Sequence, residues 1–123
     1  MSQGIFHVQF ESNLQDSGQG LVVIKNGSIN GGDDHYLYRG AAPQNTGPFT
    51  GKLHVNKWRG GNRSVVNIDN FELDVDGKID FEAGQLDLVG TVTGQPQLQI
   101  KIIGRRVGDA WRLQELSATR LLN

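Results

Sequence analysis

Apolar and polar residues alternate along much of the chain with a period of two. From Phe71 to Phe81 every second residue is apolar or glycine, and the residues between them are charged. Such alternation places the apolar side chains on one face of an extended strand. It continues through Asp76-Gly77, a dipeptide typical of turns. The pattern therefore predicts one long strand with a glycine bend.

Similar patterns, interrupted by turn residues, predict further strands along the chain. Asn26-Gly27 follows an apolar run and favours the tight type I′ turn of a β-hairpin. The run at residues 21–24 is apolar on both faces, which suits a strand covered on both sides, in part by a partner subunit. The predicted strands cover residues 4–11, 20–25, 35–39, 49–58, 71–81, 86–92 and 98–102.

Three segments are not regular strands by this criterion. Residues 41–51 contain prolines and glycines and are predicted as the longest loop and as an interaction loop. Residues 63–70 form either a short helix capped by Ser64 or an irregular segment. Residues 109–123 fit a strand that closes a barrel and also fit a helix, and we favour the strand.

The predicted fold is all-β: one domain over residues 1–123, built as an up-and-down antiparallel barrel of about seven to eight strands with at most one short helix. A barrel of this size either encloses one small apolar ligand or fills its interior with side chains. The side chains predicted to line an interior pocket are Phe6, Phe10, Leu73, Val75, Leu88 and Ile100.

Composition narrows the functional classes. The net charge is −1, so no strong field for nucleic acid is expected. The chain has no cysteine, which excludes disulfides, thiol catalysis and thiolate metal sites. Its first residues lack the pattern of a secretory signal, and no apolar run is long enough to span a membrane. We predict a cytoplasmic protein that contacts neither a membrane nor nucleic acid.

Titratable residues do not form a recognisable catalytic or metal site. Neighbours on a strand point to opposite faces, so Asp33, Asp34 and His35 are interpreted as a solvated turn. The carboxylates at positions 72, 74, 76 and 80 share one strand face, which is typical of a solvated outer surface. No nucleophile elbow of the form G-x-S-x-G occurs. We predict a protein that is not an enzyme and has no cofactor, catalytic residue or bound metal.

Residues 28–40, SINGGDDHYLYRG, carry the densest local signal. Two adjacent glycines allow a bend without a Cβ penalty, an aspartate can bond nearby backbone N–H groups, and two tyrosines fall on one strand face. We expect these residues to fix the geometry of a hairpin and to have no catalytic role. They are Gly31, Gly32, Asp33, Tyr36, Tyr38 and Gly40.

This stretch, together with Gly20, Gly27 and Ile29, resembles the GrlR-type negative regulators of bacterial type III secretion. The length of the chain, its opening Gly-Ile-Phe strand and the later meander fit the same family. The resemblance implies a cytoplasmic, lipocalin-like β-barrel that forms a homodimer. It also implies repression of transcription by protein binding, in which a DNA-binding transcriptional activator is sequestered.

One family feature is missing from the sequence. The founding member carries an acidic Glu-Asp-Glu-Asp motif for its activator, whereas the segment AAPQNTGPFT after Gly40 has no acidic residue.

The alternative function is a lipocalin-like carrier or sensor of a small apolar ligand. A filled interior would argue against that alternative, and a cavity of a few hundred Å³ would favour it.

Overall fold

The structure is a computed structural model that describes residues 3–61 and 64–110. This part of the chain consists of strands and turns without a helix, which confirms the all-β prediction. It accordingly contains no helix of the length and apolar character needed to cross a membrane. The strands are β1 Gly4–Ser12, β2 Ser17–Lys25, β3 Ser28–Gly32, β4 Tyr36–Ala41, β5 Gly47–Lys57, β6 Asn70–Asp80, β7 Gln85–Val92 and β8 Gln95–Gly108.

The strands form a closed barrel in which each strand is antiparallel to its neighbours in sequence. Closure comes from β8, which pairs with β1 from Gly108 opposite Ile5 to Ile100 opposite Ser12. The up-and-down barrel is therefore confirmed. The turns at residues 13–16, 33–35, 58–69 and 93–94 lie at one end, here the upper end. The turns at residues 26–27, 42–46 and 81–84 lie at the lower end.

The inward-facing positions of the alternating strands make up the core. In β6, Leu73, Val75 and Ile79 are buried while the carboxylates between them are exposed or half-buried. The strand runs through Gly77 without interruption, as the alternation predicts. The lower end is densely filled, because the largest fully buried side chains lie near it. These are Phe6, Phe49, Phe81, Ile24 and Ile79.

The turn between β2 and β3 has the predicted backbone. Asn26 and Gly27 have φ angles of 53° and 78°, the positive values that a type I′ turn requires at both central residues. The turn sets the register in which Ile24 lies opposite Ile29, and both side chains are buried. This pairing supports the hairpin predicted from the Asn-Gly dipeptide.

The predicted loop at residues 41–51 is wrong in its extent, because β5 already begins at Gly47. Phe49 is fully buried, and its burial extends the strand through residues whose local propensity favours a loop. Pro48 lies on the exposed side near the start of the strand. The connection is thus residues 42–46, and the longest connection in the described chain is 58–69.

The long upper connection folds back over the barrel mouth. Its described part from Ser64 onward is a turn without a helix, so the irregular alternative for this segment is the one observed. The Ser64 hydroxyl donates to the Ile68 carbonyl at 2.6 Å and accepts from the Ile68 amide at 3.0 Å. Val65 and Val66, which are part of this turn, are buried. The predicted strand at 109–123 lies almost entirely outside the described residues.

Candidate functional site

Asp33 organises the turn between β3 and β4 at the upper end. Its Oδ1 accepts hydrogen bonds from the backbone N–H groups of His35 at 2.9 Å and Tyr36 at 2.8 Å. Its Oδ2 accepts a hydrogen bond from the Tyr38 hydroxyl. The carboxylate thus bonds both the turn and the next strand, whereas Asp34 beside it is exposed.

Tyr36 and Tyr38 both point into the barrel and are buried, while Leu37 between them points outward. Burial, and then the hydrogen bond with Asp33, raise the pKa of the Tyr38 hydroxyl. The ring of Phe10 packs edge-on against Tyr38, with 5.9 Å between centroids and an interplanar angle of 85°. This aromatic pair forms one wall of the upper interior.

The glycines of the hairpin permit close contact between backbones. A Cβ on Gly31 would lie 2.2 Å from the Leu21 carbonyl oxygen, and a Cβ on Gly40 would lie 2.6 Å from the Lys52 carbonyl oxygen. Gly32 is confined in the same way by a backbone oxygen. A side chain at any of these positions would push neighbouring strands apart. The glycine spacing is thus explained by packing.

Trp58 anchors the turn from the adjacent connection, a role that the sequence did not indicate. Its backbone N–H donates to the His35 carbonyl at 2.8 Å, and its indole N–H donates to the Asp33 carbonyl at 3.1 Å. The guanidinium of Arg59 lies 5.3 Å from the indole ring. These bonds hold the connection beside the turn that carries Asp33.

A cavity of about 670 Å³ extends from the upper end into the barrel. The upper part of the interior is therefore not filled by side chains. Of the six residues predicted for a pocket, Phe6 and Val75 are buried but do not line this cavity. The other four line it: Phe10, Leu73, Leu88 and Ile100. Tyr36 and Tyr38 also line it, and their common strand face was the available signal for this role.

One part of the outer surface is apolar, and we call it the β2 patch: Ile5, Leu21, Val23, Leu37 and Val107. Ile5 lies directly opposite Val23 in the β1–β2 ladder. Leu21 and Val23 are 50% and 37% exposed, and Val107 is 62% exposed. The two-sided apolar run of β2 therefore has one face in the core and one in solvent.

The outer surface of β6 is rich in carboxylates, several of which are paired with cations. Lys52 Nζ lies 2.6 Å from Asp74 and 3.3 Å from Glu72. Hydrogen bonding between Lys52 and Asp74 raises the pKa of the lysine and lowers that of the aspartate. His54 Nδ1 lies 3.2 Å from Glu72. These exposed pairs fit a solvated face, as the alternation predicts.

A second outer region combines carboxylates with exposed apolar side chains, and we call it the acidic face: Asp76, Asp87, Val89 and Ile103. Asp76 lies opposite Val89 in the β6–β7 ladder, and Asp87 lies opposite Ile103 in the β7–β8 ladder. Val89 and Ile103 are 46% and 49% exposed. In the closed strand order, β8 and β1 separate β7 from β2.

Within residues 3–61 and 64–110, no group of three or more His, Asp and Glu residues could hold a metal ion.

Comparison with known proteins identifies a family. No curated protein sequence matches the chain. The family model described as "T3SS negative regulator, GrlR" matches residues 1–110, which include all eight strands. The chain therefore belongs to the GrlR family of negative regulators of type III secretion.

Proposed function

We propose that this protein represses type III secretion genes by binding and sequestering a DNA-binding transcriptional activator, without catalysing a reaction. The observation that carries the proposal is the family match over residues 1–110. Sequestration of an activator requires a protein surface and no reactive group. The proposed site of action is the bacterial cytoplasm, where transcription takes place, and the proposed form is a homodimer.

The closed barrel restricts how such a protein can bind a partner. Each of the eight strands is hydrogen-bonded to a neighbour on both sides. Within the described strands, only short segments, such as residues 47–52 of β5 and 17–20 of β2, are paired on one side alone, so room for an added strand is limited to them. Over the rest of the barrel a partner has to contact outward side chains or the turns, which directs attention to the two outer surfaces.

We assign binding of the activator to the acidic face. A DNA-binding protein carries Lys and Arg side chains, and carboxylates attract such a surface. Asp76 and Asp87 supply carboxylates, and Val89 and Ile103 supply apolar area that a partner would bury. Lys78 lies opposite Asp87 and Lys101 lies opposite Val89, so a partner would meet charges of both signs here.

We assign the homodimer interface to the β2 patch. Contiguous apolar side chains on an otherwise polar surface mark interaction sites. Leu21 and Leu37 flank Gly32, and the Leu37 side chain lies over this glycine. His7 lies opposite Leu21 and Asn30 lies opposite Val23, so polar side chains stand beside the apolar ones. The two surfaces are centred on β2 and β7, which are not paired with each other, and each surface also includes one residue of β8.

The test is a competition for the activator between this protein and DNA. The activator of the secretion genes from the same bacterium is bound to fluorescently labelled promoter DNA, and this protein is added while anisotropy is measured. Sequestration predicts that the anisotropy falls to the value of free DNA. A rise in anisotropy, from a ternary complex or from direct DNA binding, would contradict the proposal.

Two charge-matched variants locate the activator surface. Val89→Lys places a cation within the acidic face, and we expect about tenfold more protein to be needed for the release of DNA. Val23→Lys adds the same charge in the β2 patch and should leave the release of DNA unchanged. Equal effects of both substitutions would disprove the assignment to the acidic face.

A further inference from the structure

The interior cavity is large enough for a small molecule. Its volume of about 670 Å³ falls within the range of about 300–1,000 Å³ found for ligand sites. Its inner walls are mainly aliphatic and aromatic, and they come from all eight strands. The apolar residues in the middle of the cavity are Val8, Val22, Leu53, Val55, Leu73, Leu88 and Ile102.

The cavity is closed at its lower end and polar at its upper end. Ile24, Ile29 and Phe49 line its deepest part. Phe6 and Phe81 are fully buried and do not line the cavity, so they belong to the filled part of the interior. A ligand would consequently enter at the upper end and extend its apolar part downward. This geometry suits an elongated molecule with a polar group at one end.

The charge at the mouth restricts the polar group of such a ligand. Asp33 and Asp34 both line the upper part of the cavity, together with Ser17, Gln19 and His35. None of the lining residues in the described chain is a lysine or an arginine. A negatively charged head group would meet the carboxylates of Asp33 and Asp34, which makes its transfer out of water unfavourable. The nearby cation Lys57, 5.8 Å from the Tyr36 ring, is already paired with Asp69 at 2.9 Å.

We propose that the barrel binds a small elongated apolar molecule that carries a neutral or cationic head group, with its tail among the side chains of the interior and its head at the turn that contains Asp33. Fatty acids are excluded by the same charge argument. This ligand site is independent of the activator surface, because the acidic face lies on the outside of the barrel. Failure of the ligand proposal would therefore leave the proposed function unaffected, and the reverse also holds.

The first test compares three probes that share a ten-carbon chain and differ in their head group: decanol, decylamine and decanoate. Each displaces the neutral fluorophore N-phenyl-1-naphthylamine from the purified protein, and the loss of fluorescence gives its affinity. We expect decanol and decylamine to bind at least about tenfold more tightly than decanoate. Equal or tighter binding of decanoate would overturn the charge selectivity.

The second test changes the mouth without altering the core. Asp34→Asn removes an exposed carboxylate and should weaken decylamine and strengthen decanoate by about threefold each, with decanol unchanged. Asp87→Asn removes a carboxylate from the outer surface and should change none of the three affinities. An unchanged head-group preference in Asp34→Asn would disprove the assigned position of the head group.

The third test fills the cavity. Leu88→Trp adds volume at a lining position and should reduce decanol binding at least about tenfold. Leu53→Phe adds less volume to the cavity. It replaces Leu88→Trp in the test if circular dichroism shows that Leu88→Trp does not fold. Gln85→Trp adds a tryptophan at an exposed position of β7 that does not line the cavity, and it should retain decanol binding. Undiminished decanol binding by a folded, filled variant would overturn the proposal.

Discussion

Asp33 contributes more to the fold than its position in an exposed turn suggests. Its carboxylate accepts two backbone hydrogen bonds and one from a buried tyrosine hydroxyl. We predict that Asp33→Ala lowers the free energy of unfolding by about 2–3 kcal/mol, because three donors lose a charged acceptor. Urea denaturation measures this change.

Asp34→Ala is the matched control for this prediction. Asp34 carries the same charge one residue further on and is exposed, so its removal should change the free energy of unfolding by less than about 0.5 kcal/mol. If Asp33→Ala left the stability unchanged and instead abolished binding to a partner, its role would be recognition and the structural interpretation would be wrong.

Tyr38 makes the stability of the protein sensitive to alkaline pH. Burial and the bond to Asp33 raise the pKa of its hydroxyl above the ordinary value of 10.0. Above about pH 10 the unfolded chain loses this proton while the folded chain keeps it, so folding stability falls as pH rises. At neutral pH both states are protonated and the effect is absent.

The check is the free energy of unfolding of the parent protein and of Tyr38→Phe, measured between pH 8 and pH 11. The parent should lose stability more steeply above about pH 10 than the variant, because the variant lacks the hydroxyl. Parallel curves for the two proteins would show that Tyr38 ionises equally in the folded and unfolded states.

The sequence predicted part of this residue-scale arrangement. Asp33 as a turn residue and the common face of Tyr36 and Tyr38 follow from local chemistry and a period of two. The hydrogen bond between Asp33 and Tyr38 does not, since it depends on how the turn brings the two side chains together. The anchoring by Trp58 depends on a connection more than twenty residues away.

At the scale of single elements, Gly31 sets the distance between β2 and β3. A Cβ here would lie 2.2 Å from the Leu21 carbonyl oxygen, and a backbone oxygen in a paired strand cannot move aside easily. We predict that Gly31→Ala lowers the free energy of unfolding by about 2–4 kcal/mol. Thermal and urea denaturation provide the measurement.

Gly51 in β5 provides the comparison, because a Cβ at this position would have no atom within 4 Å. We expect Gly51→Ala to have the same stability as the parent protein or to be slightly more stable, since alanine restricts the unfolded chain. Similar losses in the two variants would mean that close contact between strands is not the reason for Gly31.

Strand prediction succeeded where alternation is strict and failed where local propensity and burial disagree. The charged residues of β6 show without ambiguity which of its positions face outward. In β5 the glycines and prolines around Pro48 predicted a loop, whereas Phe49 is inserted into the core and extends the strand. The free energy gained by burying an aromatic ring outweighs weak strand propensity, and a local sequence pattern does not report which rings are buried.

At the scale of the whole molecule, the β2 patch predicts a concentration-dependent dimer. Val23→Lys should shift the protein to a monomer in sedimentation velocity at micromolar concentration, because a lysine would have to be buried in the interface. Val89→Lys carries the same charge on the other side and should remain dimeric. A parent protein that sediments as a monomer at high micromolar concentration would contradict the dimer.

The barrel itself was predictable from the sequence, but the volume inside it was not. Strand number and short turns indicate an up-and-down closure. Whether the interior is filled depends on the summed volumes of side chains from all strands and on the diameter of the barrel. No local sequence pattern gives this total side-chain volume. The burial of Val65 and Val66, which belong to the upper connection, is likewise a property of the assembled barrel.

Closure of the barrel between β1 and β8 has a consequence for synthesis on the ribosome. Every other pairing joins neighbours in sequence and can form soon after the second strand emerges. The β1–β8 pairing must wait for the last described strand, and contacts between distant segments form slowly. Until then the nascent sheet has two open edges and accessible apolar side chains, a state prone to aggregation. The synthesis of β8 therefore determines when the new chain is protected from aggregation.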